Sequence, residues 1–234
     1  MRRAALTGLA GLGIMAGCFA PLSWSVEPPA AVPTPTPTSV SVRPDPLLLA
    51  AESLDRGDDQ AAIRHFREHL NQSPDAVMIR SHLAELLIRR GEWSAARKEY
   101  ECFAAAAPTV SGIALRHRVQ AHTRLMEIAQ EQNDRYAEYL HRGIGLILIV
   151  RGWEADPERR DPILTEQTLS KAIAALRTAK DDRTDDARVE IYLAEAYERL
   201  GQTSAAEAAR RRARNLSPDF TLSPWEAAQL HPTP

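Results

Sequence analysis

The chain has 234 residues, of which 26% are charged, and its formal net charge is −2. This near-neutral balance argues against a nucleic-acid-binding protein, which usually concentrates basic residues on one face. The Arg-rich stretch from Arg210 to Arg212 is expected to be balanced by acidic residues on neighbouring helices and is interpreted as a solvated helix face. The length suits one array of helices better than two separate compact domains.

Residues 1–17 have the features of a signal peptide. Arg2 and Arg3 precede an apolar stretch over residues 4–17, which is shorter than the roughly 20 residues that span a bilayer. The following sequence, Met15-Ala16-Gly17-Cys18, resembles the bacterial lipobox. The resemblance implies that Cys18 is lipidated and that the protein is an envelope lipoprotein facing the periplasm. Ordinary secretion of a soluble protein and a cytoplasmic location are the alternatives.

A proline-rich stretch follows the leader, and residues 18–46 are predicted to form a Pro/Thr-rich disordered tether. Prolines recur throughout residues 27–46. Because proline fixes φ and lacks a backbone N–H, this stretch cannot build helices or sheet ladders, and an extended spacer is expected. A lipid, a spacer and a globular domain would then follow one another, with the domain held clear of the membrane. A ligand for a Pro-binding domain is the alternative for this segment.

From residue 47 onward the apolar spacing is helical, and one set of intervals recurs. Two full copies and one partial copy are present: Leu83, Ala84, Leu87, Gly91, Ala96, Tyr100, Phe103 and Pro108; Leu193, Ala194, Tyr197, Gly201, Ala206, Arg210, Ala213 and Pro218; and Leu49, Ala50, Ser53, Gly57, Ala62, Phe66 and Pro74. This pattern resembles the tetratricopeptide repeat (TPR), a helix–turn–helix unit of about 34 residues. The resemblance implies an all-α fold, an α-α superhelix of the right-handed solenoid type, which is irregular in the middle.

The TPR-like domain is expected over residues 47–218. Repeats are placed near residues 43–76, 77–110 and 187–220, with a degenerate stretch over 111–186 in which a third copy fits only if its start slips by about seven residues. The expected helices are Leu47–Arg56, Asp59–Asn71, Ala76–Arg90, Trp93–Ala107, Gly112–Glu131 and a very apolar Tyr136–Gly152 at the centre of the core.

Two further segments complete this prediction. Residues 155–162 contain two prolines and five charges, which predicts a loop in place of the first helix of a fourth repeat. Residues 221–234 are predicted to form a short capping helix and a tail, with Trp225 and Leu230 covering the end of the solenoid.

Motifs for chemistry are absent from the sequence, which contains no nucleotide-binding, zinc-protease or serine-hydrolase signature. An enzyme is therefore not expected, and no cofactor or metal is predicted. His65 and His69 could share a metal, but no third ligand is evident, so an exposed polar face is favoured. Cys102 is expected to be a buried structural thiol. Three histidines on neighbouring helices could also converge on the inner side: His117, His122 and His141.

Proteins of the TPR superfamily bind extended or helical peptides on the inner face of each first helix. Mapped onto this chain, that face includes Leu47, Ala51, Leu54 and Glu198. The positions predicted to bind a partner are Met78, Ser81, Glu85, Ile88, Arg89, Arg188, Ile191 and Glu195. The chaperone-binding subfamily clamps a terminal carboxylate with a Lys and an Asn. Leu47 and Ala51 occupy those places here, so that ligand is not expected.

The predicted function is that of an envelope lipoprotein acting as a protein–protein interaction scaffold. Its expected partners are a protein or peptide in the helical groove and the membrane through the N-terminal lipid, with no nucleic acid and with a homo-oligomer as a possibility. The alternatives are a self-associating structural component of an envelope complex and a metal-dependent or enzymatic protein.

Overall fold

A computed structural model describes residues 44–216 and 222–230, which belong to one compact unit. Within these ranges the chain forms ten α-helices and one 3-10 turn, without strands, which confirms the expected all-α fold. The predicted leader, Cys18 and residues 18–43 of the predicted tether lie outside the described residues. Among the described helices, none is both long enough and apolar enough to cross a membrane.

The helices stack in chain order, because each packs mainly against its neighbours in sequence, as in a solenoid. Their bounds are α1 Pro46–Asp55, α2 Asp59–Gln72, α3 Val77–Arg89, α4 Trp93–Ala106, α5 Leu115–Glu131, α6 Arg135–Ala155, α7 Pro162–Asp182, α8 Ala187–Arg199, α9 Thr203–Asn215 and α10 Pro224–Leu230. The sequence placed the start of α5 at Gly112 and the end of α6 at Gly152. The loop expected over residues 155–162 contains the 3-10 turn Pro157–Arg159.

The pairs α1–α2, α3–α4, α5–α6 and α8–α9 are joined by the same tight turn. One residue of each turn has a positive φ of 55–72°, namely Gly57, Gly91, Asn133 and Gly201. The backbone N–H of the next residue donates to the carbonyl five residues earlier, as from Asp58 to Ser53 at 2.8 Å and from Asp134 to Ala129 at 2.8 Å. A positive φ followed by this hydrogen bond is the Schellman motif, which ends many helices. The α5–α6 pair is therefore built like the three pairs with a clear sequence repeat.

Small residues allow three of these pairs to pack closely. Both members of each pair of facing alanines are at most 2% exposed: Ala50 with Ala62, Ala84 with Ala96, and Ala194 with Ala206. In α5–α6 the equivalent places hold Met126 and Glu138. There Gly145 of α6 faces His122 of α5, and a Cβ added at Gly145 would lie 3.8 Å from the Cβ of His122, an ordinary contact distance.

Helix α6 packs extensively on both α5 and α7. A Cβ placed on Gly143 would lie 2.6 Å from Cγ of Leu176 and 3.3 Å from the carbonyl oxygen of Ala172, so α6 and α7 meet with no room for a side chain. The apolar residues of α6, among them Ile144 and Leu148, are buried in the larger core cluster. Helix α6 thus pairs with α5 as the second helix of one repeat. It also pairs with α7 as the first helix of the next repeat, because α7 has no preceding helix of its own.

The expectation of a buried Cys102 is wrong, because the thiol is exposed. The buried face of α4 is formed by Ala96, Tyr100 and Phe103. Cys102 follows Tyr100 by two residues and precedes Phe103 by one, and at 3.6 residues per turn its side chain points away from that face.

Candidate functional site

The predicted positions of α3 border two openings that run along the helix. Met78, Ser81 and Glu85 line a cavity of about 120 Å³ together with residues of α4 and α5. Glu85 and Arg89 line a second cavity of about 500 Å³ toward α1 and α2. Glu85 borders both cavities, so the two openings are contiguous along α3. We call them the α3 groove.

Further lining residues of the α3 groove were not among the predicted positions. Leu54 belongs to the inner face mapped from the sequence, and the lining residues outside that mapping are Gly57, Asp59, Phe66, His82, Leu86, Tyr100, His117 and Gln120. His82 lines both cavities and is exposed. The spacing of Met78, His82, Glu85 and Arg89 by four, three and four residues defines one helical face, and this signal could have identified His82. Ile88, by contrast, is partly buried against the core and borders neither cavity.

Glu85 holds three helices together at the floor of the α3 groove. Its Oε1 accepts hydrogen bonds from Tyr100 Oη at 2.6 Å and from Arg124 Nε at 3.0 Å. Burial and the hydrogen bond to Glu85 raise the pKa of Tyr100 above its usual value, so the phenol stays protonated and donates. The carboxylate is therefore engaged within the chain.

The rim of the α3 groove carries exposed charge. Arg89 Nη2 lies 2.7 Å from Asp59 Oδ1, and the Arg89 side chain is 56% exposed. Because exposed ion pairs contribute little, about 0–1 kcal/mol, this pair can rearrange at low cost. Leu54, Phe66 and Leu86 add apolar surface to the same opening. The α3 groove thus combines apolar surface, an internally satisfied carboxylate at its floor and a charged rim.

The predicted positions of the last repeat are covered rather than open. Ile191 is 3% exposed and clusters with Leu230 and Leu222. Glu195 is 8% exposed, and its Oε1 accepts from Arg151 at 2.6 Å. Arg188 lies 2.6 Å from Asp186 in an ion pair. The structure therefore does not join the two predicted sets in one open surface.

Helix α10 covers this part of α8. The Trp225 ring stacks on Tyr192, with centroids 5.6 Å apart, and the Arg151 guanidinium lies 4.9 Å from the Trp225 centroid. Tyr192 Oη donates to Glu226 at 3.3 Å, and the amide and hydroxyl of Ser223 donate to the same carboxylate at 2.8 Å. The helix also contacts α4 and α9.

Two of the candidate histidines meet in the core. The Nδ1 atoms of His122 and His141 are 3.1 Å apart, and both side chains are buried. Burial, together with the charge of Arg118, lowers the pKa of His122 to about 3. Burial and the neighbouring His122 lower the pKa of His141 well below its usual value. Both rings are therefore neutral at pH 7, and one Nδ1–H donates to the other Nδ1.

The other candidate histidines are separate from this pair. His117 lines the α3 groove, so the three histidines on neighbouring helices do not converge. His65 lies 3.9 Å from Glu68 on α2. Across residues 44–216 and 222–230, no three His, Cys, Asp or Glu side chains are grouped so as to hold a metal ion.

The chain resembles known proteins at low sequence identity and with low TM-scores. No protein-family model and no curated protein sequence matches the chain. Among solved structures, a MamA protein is 16% identical, with 76% of this chain and 96% of that chain covered and a TM-score of 0.39. A thermophilic TPR protein of Thermus thermophilus is 19% identical over 79% of this chain and 77% of that chain, with a TM-score of 0.34. A MamA structure from Desulfovibrio magneticus is 14% identical over 75% and 96%, with a TM-score of 0.30.

These likenesses carry no inference about function. The repeat is instead visible within the chain, in four identical turns and three pairs of facing alanines. On this internal evidence the described part of the chain is an all-α array of helix–turn–helix repeats.

Proposed function

We propose that this protein is a non-enzymatic interaction scaffold that binds an extended or helical segment of a partner protein in the α3 groove. One observation carries the proposal, namely that two contiguous cavities follow the face of α3 on which TPR-like proteins are expected to bind. A cavity of about 500 Å³ is large enough to take apolar side chains of a peptide.

The chemistry of the α3 groove suggests how such a segment is held. Leu54, Phe66 and Leu86 offer apolar surface for its anchoring side chains. His82 and Arg89 are exposed and can meet polar or acidic groups at the edge. Glu85 already accepts three hydrogen bonds from Tyr100, Arg124 and Gln120, so it is expected to shape the groove rather than to contact the partner.

Charge reversal at the rim tests the proposal. In the double variant His82→Glu/Arg89→Glu, crosslinking in cells followed by mass spectrometry is expected to recover at least tenfold less partner, because like charges across an interface are repulsive. The matched control is Arg64→Glu/Arg67→Glu, since both residues are exposed on α2 outside either cavity. Circular dichroism checks the fold of both variants.

Two results would contradict this proposal. Unchanged partner recovery in the His82/Arg89 variant would move the partner site away from the α3 groove. Recovery of a second copy of this chain as the crosslinked partner would instead assign the groove to self-association.

We further propose that the scaffold is an envelope lipoprotein anchored through Cys18. The support is the sequence of the leader and lipobox. Acyl chains bind bilayers with about 0.8 kcal/mol per buried methylene, so two or more chains hold a protein firmly. The Cys18→Ser variant is therefore expected to leave the membrane fraction and to retain its leader, as measured by cell fractionation and intact mass. A variant that is processed and remains in the membrane fraction would refute lipidation, whereas normal processing with release into the soluble fraction would favour ordinary secretion.

A further inference from the structure

Helix α10 indicates a second partner-binding surface on this protein. We propose that the face of α8 under α10 binds a short helical segment of a partner in which an aromatic residue is directly followed by an acidic one. Helix α10, with Trp225 and Glu226, occupies this surface in cis and is displaced by the partner. The inference rests on the proposed function, because the covered positions are the last-repeat members of the same predicted binding face.

The seat of α10 has the composition of a recognition site. Trp225 stacks on Tyr192 and lies under the Arg151 guanidinium at 4.9 Å. Aromatic anchors packed against an aromatic ring and an arginine are typical of the residues that dominate binding energy at interfaces. Glu226 is buried beside Tyr192, which donates to it at 3.3 Å. The surface therefore selects an aromatic side chain and an adjoining carboxylate together.

Three arginines border the seat, of which Arg151 is paired with Glu195 and Arg188 with Asp186. Arg118 lies on α5, and burial together with the repulsive charge of Arg151 on α6 lowers the pKa of Arg118. Arg118 makes no hydrogen bond or ion pair of its own within the described residues. Arg188 lies close enough to Glu226 for their charges to attract. An acidic segment that also reaches Arg118 would gain an interaction that α10 does not make.

The attachment of α10 is slight enough for displacement. It has seven residues, and a helix of that length is not stable by itself in water. Its apolar contacts are confined to Trp225 and to a small cluster around Leu230, Ala187 and Ile191. The two larger core clusters otherwise consist of residues from α1 to α9. Release of α10 is therefore expected to leave the helical array folded.

A labelled peptide of residues 222–230 tests the inference with the full chain as acceptor. Fluorescence anisotropy is expected to give at least tenfold tighter binding to the Trp225→Ala variant than to the wild type, because the wild-type surface must first release its own α10. The matched control is Ala228→Ser, an exposed position of α10, which should bind the peptide as weakly as the wild type. Circular dichroism and urea unfolding verify that both variants are folded.

Changes in the peptide test the selectivity without altering the protein. Replacing its Trp with Ala, or its Glu with Gln, is expected to weaken binding to the Trp225→Ala protein at least tenfold. Equal binding of the peptide to wild type and Trp225→Ala protein would overturn occupation in cis, and equal binding of the altered peptides would overturn the proposed partner chemistry. A wild-type dimer in sedimentation that the peptide dissociates would assign the surface to α10 of a second copy, which also overturns occupation in cis.

The outcomes separate this inference from the proposed function. His82 and Arg89 do not border the α10 seat, so the charge-reversal variant of the α3 groove leaves the peptide assay unaffected. Loss of partner recovery with no peptide binding would support the α3 groove and overturn the second surface. Peptide binding with unchanged partner recovery would support the second surface alone.

Discussion

Replacing Asp186 with Asn is expected to lower the free energy of unfolding by about 3–5 kcal/mol at pH 7, the cost of breaking a buried ion pair by removing one partner. The Asp186 side chain is fully buried and accepts a hydrogen bond from the Tyr136 hydroxyl. The guanidinium of Arg188 donates two more, from Nη2 at 2.6 Å and from Nε at 3.0 Å. Asp186 also caps α8 by accepting from the Arg188 amide at 2.8 Å. Urea unfolding followed by circular dichroism measures the loss.

The effect of this substitution depends on pH in a defined direction. Burial acts to raise the pKa of Asp186, but the hydrogen bonds and charge of Arg188 outweigh it, so the folded pKa lies below the usual value. The folded state therefore binds fewer protons than the unfolded state, whose Asp has a pKa of about 3.9. The contribution of Asp186 is complete above about pH 5 and is lost as pH falls through the folded pKa.

The matched control for this substitution is the adjacent Asp185→Asn. Asp185 is exposed, so its replacement should change the free energy of unfolding by no more than about 0.5 kcal/mol. The difference in stability between the wild type and Asp186→Asn should be smaller at pH 3 than at pH 7. A difference that stays constant over this range would show that the carboxylate charge does not stabilise the fold.

Replacing Gly143 with Ala is expected to destabilise the protein by about 1–2 kcal/mol, although Ala usually favours a helix by about 1 kcal/mol. The new Cβ would lie 2.6 Å from Cγ of Leu176. Leu176 is completely buried and cannot move aside without displacing its neighbours, and the carbonyl of Ala172 blocks the other side at 3.3 Å. The cost of overpacking therefore exceeds the gain in helix propensity.

Gly145, two residues further along α6, provides the control. A Cβ at Gly145 would meet only the Cβ of His122 at 3.8 Å, an ordinary contact. Gly145→Ala is therefore expected to raise the free energy of unfolding by up to about 1 kcal/mol. Denaturant unfolding of the two variants should give shifts of opposite sign. A stabilising shift in both would mean that α6 and α7 are not in close contact at Gly143.

The sequence predicts the regular repeats because their geometry depends on local residues. Glycine at the turn and alanines on the facing helices define α1–α4 and α8–α9, and the ends of α1–α4 fall within one residue of the expected ones. The α5–α6 pair escapes this pattern because Asn133 replaces the turn glycine and Met126 and Glu138 replace the alanines. Asn133 also follows Gly91 by 42 residues, whereas Gly91 follows Gly57 by 34.

The candidate site is less predictable because part of it depends on distant contacts. The face of α3 follows from helical spacing and is recovered apart from His82, whereas Ile88 turns toward the core. The cover over α8 could not be read from the spacing, since nothing local specifies that Trp225 packs on Tyr192. The contact between His122 and His141 likewise depends on how far α5 and α6 are shifted along each other, which the sequence does not specify.

The shared helix α6 has a consequence for how the array can unfold and change. In a regular solenoid each repeat contacts only its neighbours, so its stability depends on its own helices and on the adjoining interfaces. Single repeats can therefore unfold locally, and they can be duplicated or lost without disturbing the others. Helices α5, α6 and α7 have no boundary between them at which this could happen, because any separation exposes a buried face of α6. Hydrogen exchange should therefore protect these three helices as one cooperative block. Insertion or deletion of a helix pair would be tolerated on either side of that block and not within it.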